Sequence, residues 1–197
     1  MTPLLLRNLL RLALGGAVPA CAAPVGLTVL DAAGQPLPGA VVAVYVAGAP
    51  AQAPAGTSAE LAQRKKTFVP GVLAIQTGTA VQFPNFDTVR HHVYSFSPIK
   101  VFEIKLYAGT PAAPVVFDKP GTAVLGCNIH DRMSAFIRVV DTPYFARTDT
   151  AGRATIDLPP GTHPAQVWHP GLGADATPPS QPLATAGGAA TLTLKQP

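Results

Sequence analysis

Residues 122–133 read TAVLGCNIHDRM. This stretch joins a short apolar run to a loop that carries a cysteine, a histidine and a methionine. A metal ion that cycles between two oxidation states, as copper does, prefers a soft thiolate, imidazoles and a weak axial donor such as a thioether. Cys127, His130 and Met133 would supply three such donors at the end of one strand. The C-x2-H-x2-M spacing therefore predicts a mononuclear copper site, with an ordinary core role for Met133 as the alternative.

A fourth ligand must come from another segment, and residues 90–94, RHHVY, are the candidates. They precede a second strand-like run, as expected of a ligand held by a neighbouring strand. Adjacent strand residues face opposite ways. Only one of His91 and His92 is therefore expected to bind the ion, and the residues alone leave both open.

The chain as a whole has the pattern of an all-β protein. It contains 22 Pro and 18 Gly, and short apolar runs alternate with turn residues, which is typical of a sandwich or barrel. A single helical turn is predicted at residues 59–64. The predicted strands are residues 25–30, 40–46, 72–82, 93–96, 102–106, 122–127, 135–140, 153–158, 165–169 and 190–194.

At the Cys127–Met133 loop and the His91 segment, the chain resembles the cupredoxins, with the loop length of the amicyanin type. The wider segments FPNFD (83–87), HHVYSFS (91–97), FDKPG (117–121) and VDTPYF (140–145) resemble secreted cupredoxin-like proteins labelled methylamine utilization proteins. The resemblance extends from about residue 64 to residue 170. It implies a cupredoxin Greek-key β-sandwich that binds one copper ion.

The resemblance also bears on the two histidines. Alignment on Val93 places His91 at the ligand position and His92 where relatives carry an asparagine that ties the two ligand loops together. Asn128 follows the cysteine, where relatives carry Ser or Thr. The chain departs from the family at both positions, so we expect a His92–Asn128 hydrogen bond in the same supporting role. The departure leaves the spectroscopic type of the site open.

Three further residues are expected near the site or as alternative ligands. Asn85 and Asp87 suit side-chain-to-backbone bonds that hold the loop before His91. His169 is a possible further ligand. The alternative for His169 is packing beside Trp168, away from the metal.

The two chain ends differ from the middle segment in their sequence pattern. Residues 27–42 and 148–163 resemble the opening and closing halves of a carboxypeptidase-regulatory-like (transthyretin-like) domain. We therefore expect a cupredoxin-like domain at residues 60–142, inserted into a second small β-sandwich made of residues 24–50 and 145–197. The alternative is one continuous sandwich with decorated ends.

Residues 1–22 have the features of a secretory signal peptide: two arginines, a short apolar run and an A-x-A-like end at residues 20–22. An uncleaved anchor and a lipoprotein signal are weaker alternatives. Cleavage would leave 12 basic and 10 acidic residues, which gives no support for nucleic-acid binding. It would also leave Cys127 as the single cysteine. We expect a periplasmic or secreted protein with no membrane span after cleavage.

These features predict an electron-transfer protein that acts with an unidentified redox protein. Motifs of hydrolytic enzymes are absent from the sequence, so no enzymatic activity is expected. A copper chaperone or storage module, and a structural surface-binding module with an accessory metal site, are the alternative functions. Zinc is the alternative ion.

Overall fold

The computed structural model describes residues 21–130 and 132–194, which form strands joined by turns and a single 3-10 turn at Pro170–Leu172. The predicted signal peptide lies outside the described residues, except for residues 21 and 22. The all-β prediction is confirmed. The strands are β1 Ala23–Leu30, β2 Val41–Val44, β3 Ser58–Glu60, β4 Ala62–Arg64, β5 Thr67–Val69, β6 Val72–Gln76, β7 Ala80–Gln82, β8 His91–Ser97, β9 Lys100–Tyr107, β10 Val115–Val116, β11 Gly121–Gly126, β12 Ser134–Val140, β13 Tyr144–Arg147, β14 Arg153–Leu158, β15 Thr162–Trp168, β16 Ser180–Ala184 and β17 Ala189–Thr193.

Strands from the two chain ends pair with each other. They form a three-stranded sheet, β14–β1–β17, and a four-stranded sheet, β13–β2–β15–β16. Along β1 the side chains of Val25, Leu27 and Val29 are buried and their neighbours are more exposed, because successive strand residues face opposite sides of a sheet. These residues share one apolar core with Ile156 and Val167. We call this part the end sandwich.

Strands β3–β12 form a second group. Its main sheet has the order β6–β12–β11–β8–β9, and β10, β7 and β3 form a smaller sheet. Phe83, Phe117 and Ile137 lie in the core of this group. We call it the middle sandwich. The neighbouring strands β8 and β11 both lie in its main sheet, so the residues at their ends are brought close together.

The middle sandwich leaves and rejoins the end sandwich at adjacent points. Tyr144 pairs with Val44, and the Thr142 hydroxyl donates a hydrogen bond to the carbonyl oxygen of Val44 at 2.6 Å. Trp168 of the end sandwich is buried beside Val72 and partly buried Phe136 of the middle sandwich. The two groups of strands therefore share a small apolar contact.

The structure corrects three expectations about local structure. The helical turn predicted at 59–64 is wrong, because β3 and β4 occupy this segment and β3 pairs in parallel with β7. The single strand predicted at 72–82 is interrupted at residues 77–79 between β6 and β7. The alternating aromatic residues of the middle segment also predict packing roles for Phe86 and Phe96, but their side chains are exposed by 52% and 76%. Pairing with distant strands overrides local preference in the first case.

Candidate metal centre

The loop that follows β11 is closed by its own backbone. The N–H of Cys127 donates to the carbonyl of Met133 at 3.2 Å, and the N–H of Met133 donates to the carbonyl of His130 at 3.0 Å. Gly126 and Ser134, which flank the loop, are paired across β11 and β12. Two adjacent strands therefore hold both ends of the loop, so the Cys127 side chain starts from a fixed backbone position.

The glycine just before the cysteine lets a tyrosine ring lie against the backbone. A Cβ atom at residue 126 would lie 2.6 Å from both Cζ and Oη of Tyr94, which is closer than non-bonded atoms approach. The Tyr94 ring thus covers the backbone beside Cys127. This close approach joins β8 to β11 where the ligand candidates emerge.

Three donor atoms converge next to this loop. Cys127 Sγ lies 3.8 Å from Nδ1 of His91 and 3.7 Å from Nδ1 of His130. The two imidazole rings are 4.9 Å apart between centroids. One donor atom from each residue lies within 4.8 Å of the other two. The group could therefore hold one metal ion, with one thiolate and two imidazole ligands.

Asp87 determines which nitrogen of His91 faces the sulfur. Its Oδ2 atom lies 2.8 Å from His91 Nε2, so Nε2 carries the proton and Nδ1 remains free to accept. His91 has no exposed surface. A buried imidazole held in this way is oriented before any ion binds.

Asp87 is itself held by the turn between β4 and β5. Its carboxylate accepts the backbone N–H groups of Lys65 at 2.6 Å and Lys66 at 2.9 Å. Both lysines have positive φ, 51° and 57°. Desolvation alone would raise the pKa of Asp87, but the bonds from Lys66, His91 and Lys65 outweigh it and lower the pKa. The carboxylate is thus kept ionised.

Asn85 holds the segment that carries Asp87. Its Oδ1 accepts the N–H of Asp87 at 2.9 Å, and its Nδ2 donates to the carbonyls of Val89 at 2.8 Å and Tyr107 at 3.1 Å. These are side-chain-to-backbone bonds of the kind expected from the sequence. They fix the turn that leads into β8.

We expect Asp87→Asn to weaken metal binding by about 10- to 100-fold, the usual effect of losing a partner of a ligating histidine. The Asp87 carboxylate accepts three N–H groups, from Lys65, Lys66 and His91. The side-chain amide of an asparagine would place its own N–H donors against at least one of these three donors. Competition with a chromophoric chelator measures the affinity. Asp118→Asn is the matched control, because Asp118 is an exposed carboxylate paired with Lys100. Equal affinity in both variants would contradict this role for Asp87.

Met133 lies in the same buried cluster as Cys127. Both residues line a groove of about 450 Å³ on the molecular surface. Its position after His130 suits a thioether donor, and its burial also suits an ordinary core residue. The axial role of Met133 therefore remains a prediction.

The expected His92–Asn128 hydrogen bond is not found among the described residues. His92 turns away from the cluster, since neighbouring residues of β8 face opposite ways. Its Nε2 lies 3.0 Å from Glu103 Oε1, yet it has no partner in hydrogen-bond geometry. The rings of His92 and Tyr94 pack edge to face, with 5.8 Å between their centroids. Asn128 is exposed.

His169 belongs to the end sandwich and lies outside the three-residue cluster. It caps the 3-10 turn, where its Nδ1 accepts the N–H of Gly171 at 3.1 Å. Burial lowers its pKa. The structure therefore does not place His169 as an alternative ligand and gives it a local structural contact instead.

The sequence does not indicate a polar contact between Tyr107 and Gln63 that lies next to the cluster. The Tyr107 hydroxyl lies 2.8 Å from Gln63 Oε1 and 2.7 Å from the carbonyl of Phe83. Burial raises the pKa of Tyr107 to about 12, with a smaller contribution from Cys127. Gln63 is separated from Tyr107 by 44 residues, so no local pattern could have indicated this contact.

The chain matches no protein-family model and no curated protein. Several solved structures are similar to part of it. One is the copper-containing nitrite reductase of Thermus scotoductus SA-01, with 28% identity and a TM-score of 0.39, over 49% of this chain and 25% of that chain. This chain therefore spans about a quarter of that protein.

Two smaller proteins are matched over nearly their whole length. The purple cupredoxin of Nitrosopumilus maritimus has 20% identity and a TM-score of 0.37, over 42% of this chain and 98% of its own. Amicyanin of Paracoccus versutus has 17% identity and a TM-score of 0.36, over 50% of this chain and 96% of its own. Since these TM-scores are low, the functional assignment rests on the site residues.

Proposed function

We propose that the chain is a cupredoxin-like protein that binds one copper ion and transfers electrons. The observation that carries this proposal is the convergence of His91 Nδ1, Cys127 Sγ and His130 Nδ1 within 4.8 Å of one another. One thiolate and two imidazoles form a donor set suited to copper in both of its common oxidation states. Bound there, a copper ion would supply a one-electron couple between Cu(I) and Cu(II).

The chain's own residues would keep this donor set in one arrangement. Two strands hold the Cys127 loop, and Asp87 orients the buried His91 ring. Cys127 and Met133 are also buried, so water has little access to the sulfur atoms. We propose Met133 as the weak fourth donor. A site fixed from several sides changes little when an electron arrives or leaves, which favours fast transfer.

The exposed edge of the site lies at the Cys127–Met133 loop. His130 is partly exposed and its neighbour Ile129 is exposed by 46%. Arg132 in the same loop is also exposed. We propose that a redox partner protein approaches this edge and that Arg132 favours an acidic surface on it.

Secretion to the periplasm or the cell exterior is part of the proposal, on the basis of the signal-like residues 1–22. Among the described residues, no helix has the length and hydropathy needed to cross a membrane. The likeness to methylamine utilization proteins is likewise a proposal. It comes from the sequence segments quoted above and identifies no substrate.

Copper binding and redox titration test the function and separate it from the alternatives. Electron transfer predicts one copper per chain, a reversible redox couple and slow loss of copper to a mild chelator. A chaperone would release copper rapidly, and a zinc protein would prefer Zn²⁺ and show no redox couple. If the chain binds copper but the bound copper cannot be reduced and reoxidised reversibly, the electron-transfer proposal is wrong.

We also infer that the two groups of strands are separate domains, the end sandwich being carboxypeptidase-regulatory-like. The pairing of β2 with β13 brings the two ends of the insertion together. We therefore expect a chain in which a short glycine–serine linker replaces residues 47–141 to fold with β-type circular dichroism and a cooperative thermal transition. A non-cooperative, collapsed product would contradict this division of the chain.

A further inference from the structure

A cleft of about 510 Å³ lies between the end sandwich and the middle sandwich. It is separate from the three-residue metal cluster. Tyr45 and Gln166 line it from the end sandwich, while Thr122 and Arg138 line it from the middle sandwich. Clefts of this volume between domains are common binding sites for small molecules.

Arg138 is the main positive group in the cleft. Its side chain is half-buried and donates from Nη1 to the Thr122 hydroxyl at 3.0 Å. Its guanidinium also lies 5.7 Å from the Trp168 ring centroid. In the described part of the chain, no carboxylate oxygen lies within 4.0 Å of its nitrogens, since the ion pairs found there involve other residues.

A partly buried guanidinium with free N–H groups is suited to a carboxylate ligand. Burial lowers the pKa of Arg138, and the nearby Tyr45 and Asp141 partly oppose that effect. The five N–H donors form a planar fork that matches the two oxygens of a carboxylate. One donor is used by Thr122, so others remain for a ligand.

The rest of the cleft limits the charge of that ligand. Asp141 and Asp175 are exposed at its edge, so the charged side chains of the cleft sum to a single negative charge. A simple anion would be repelled by the two carboxylates. A ligand with a carboxylate at one end and an ammonium group at the other would satisfy both kinds of group.

Neutral groups complete the lining. The Tyr45 hydroxyl donates to Gln166 Oε1 at 3.2 Å, which leaves the Gln166 amide nitrogen as a donor. Ile99 adds apolar surface. These groups suit a ligand with peptide-like polar atoms and a small apolar side chain.

We propose that this cleft binds a free amino acid or a short peptide, with the ligand carboxylate on Arg138 and the ligand ammonium group near Asp141 and Asp175. The binding site is independent of the proposed copper function. Because its walls come from both sandwiches, a bound ligand would connect them.

Isothermal titration of the purified chain with three related probes tests this proposal. L-alanyl-L-alanine carries both charged ends, N-acetyl-L-alanine lacks the ammonium group, and L-alanine amide lacks the carboxylate. We expect the dipeptide to bind with a Kd of about 1 mM or lower and each blocked probe to bind at least about tenfold more weakly. Absence of saturable dipeptide binding below about 10 mM would overturn the proposal, as would equal binding of the three probes.

Two variants test the assigned residues separately. Arg138→Gln should reduce dipeptide affinity by about tenfold or more, while Arg153→Gln, which removes an exposed arginine paired with Asp149, should not change it. Asp141→Asn removes an exposed carboxylate and should keep the fold even if Arg138→Gln does not. This variant should weaken the binding of the dipeptide but not that of N-acetyl-L-alanine. Unchanged dipeptide affinity in Asp141→Asn would contradict the proposed orientation of the ligand.

Discussion

Replacing Cys127 by serine is expected to abolish the visible thiolate-to-copper absorption and to weaken copper binding by at least about 100-fold. The serine hydroxyl is a hard, neutral donor at neutral pH, so it cannot replace a thiolate as a copper ligand. The position is buried, and the backbone bond to Met133 does not depend on the side chain. Absorption titration with Cu(II) measures both effects.

The matched control for this variant is Cys21→Ser in the uncleaved chain, since cleavage of the proposed signal peptide would remove Cys21. Cys21 is the other cysteine and it is exposed, so its replacement should leave the absorption unchanged. Circular dichroism and thermal unfolding of the metal-free variants show whether each one folds. Visible colour that persists in a folded Cys127→Ser protein would mean that the metal site has been assigned to the wrong residues.

The second large effect is expected at His91, with its neighbour as the control. His91→Ala should lower copper affinity by about 100-fold, because the ring supplies a donor 3.8 Å from the cysteine sulfur. His92→Ala should change it by no more than about threefold, because His92 contacts Glu103 and Tyr94 on the other side of the strand. Both imidazoles are almost fully buried, so burial alone does not distinguish them.

Competition titration of the two histidine variants gives the affinities, and the electron paramagnetic resonance (EPR) spectrum of each copper form gives the ligand environment. His91→Ala should lose the nitrogen coupling of one imidazole, and His92→Ala should retain the wild-type spectrum. The reverse pattern, with a large loss only in His92→Ala, would make His92 the ligand. It would also remove the proposed role of Asp87.

The sequence predicts the ligand candidates of the metal site well where they lie close together in the chain. Cys127, His130 and Met133 lie on one loop, so their closeness depends on seven residues and the strand before them. The alternation of side chains along β8 also predicted that only one of two adjacent histidines would face the cluster. The structure brings His91 to that position.

What the sequence could not predict depends on contacts between distant segments. The Asp87–His91 contact spans only four residues, but the N–H groups that hold Asp87 come from Lys65 and Lys66, more than twenty residues earlier. The helical turn predicted at 59–64 is wrong, and no local pattern indicates that β3 pairs with β7, about twenty residues further on. The expected His92–Asn128 bond assumed a family contact although this chain has different residues at both positions.

Absorption and EPR spectra of the wild-type protein loaded with one equivalent of Cu(II) show most directly whether Cys127 is a copper ligand. A copper site built on Cys127 predicts an intense visible thiolate-to-copper band and a single EPR-active copper per chain. Both signals should disappear on reduction and return on reoxidation. A colourless Cu(II) complex, or an EPR spectrum with no contribution from a sulfur ligand, would contradict a copper site built on Cys127.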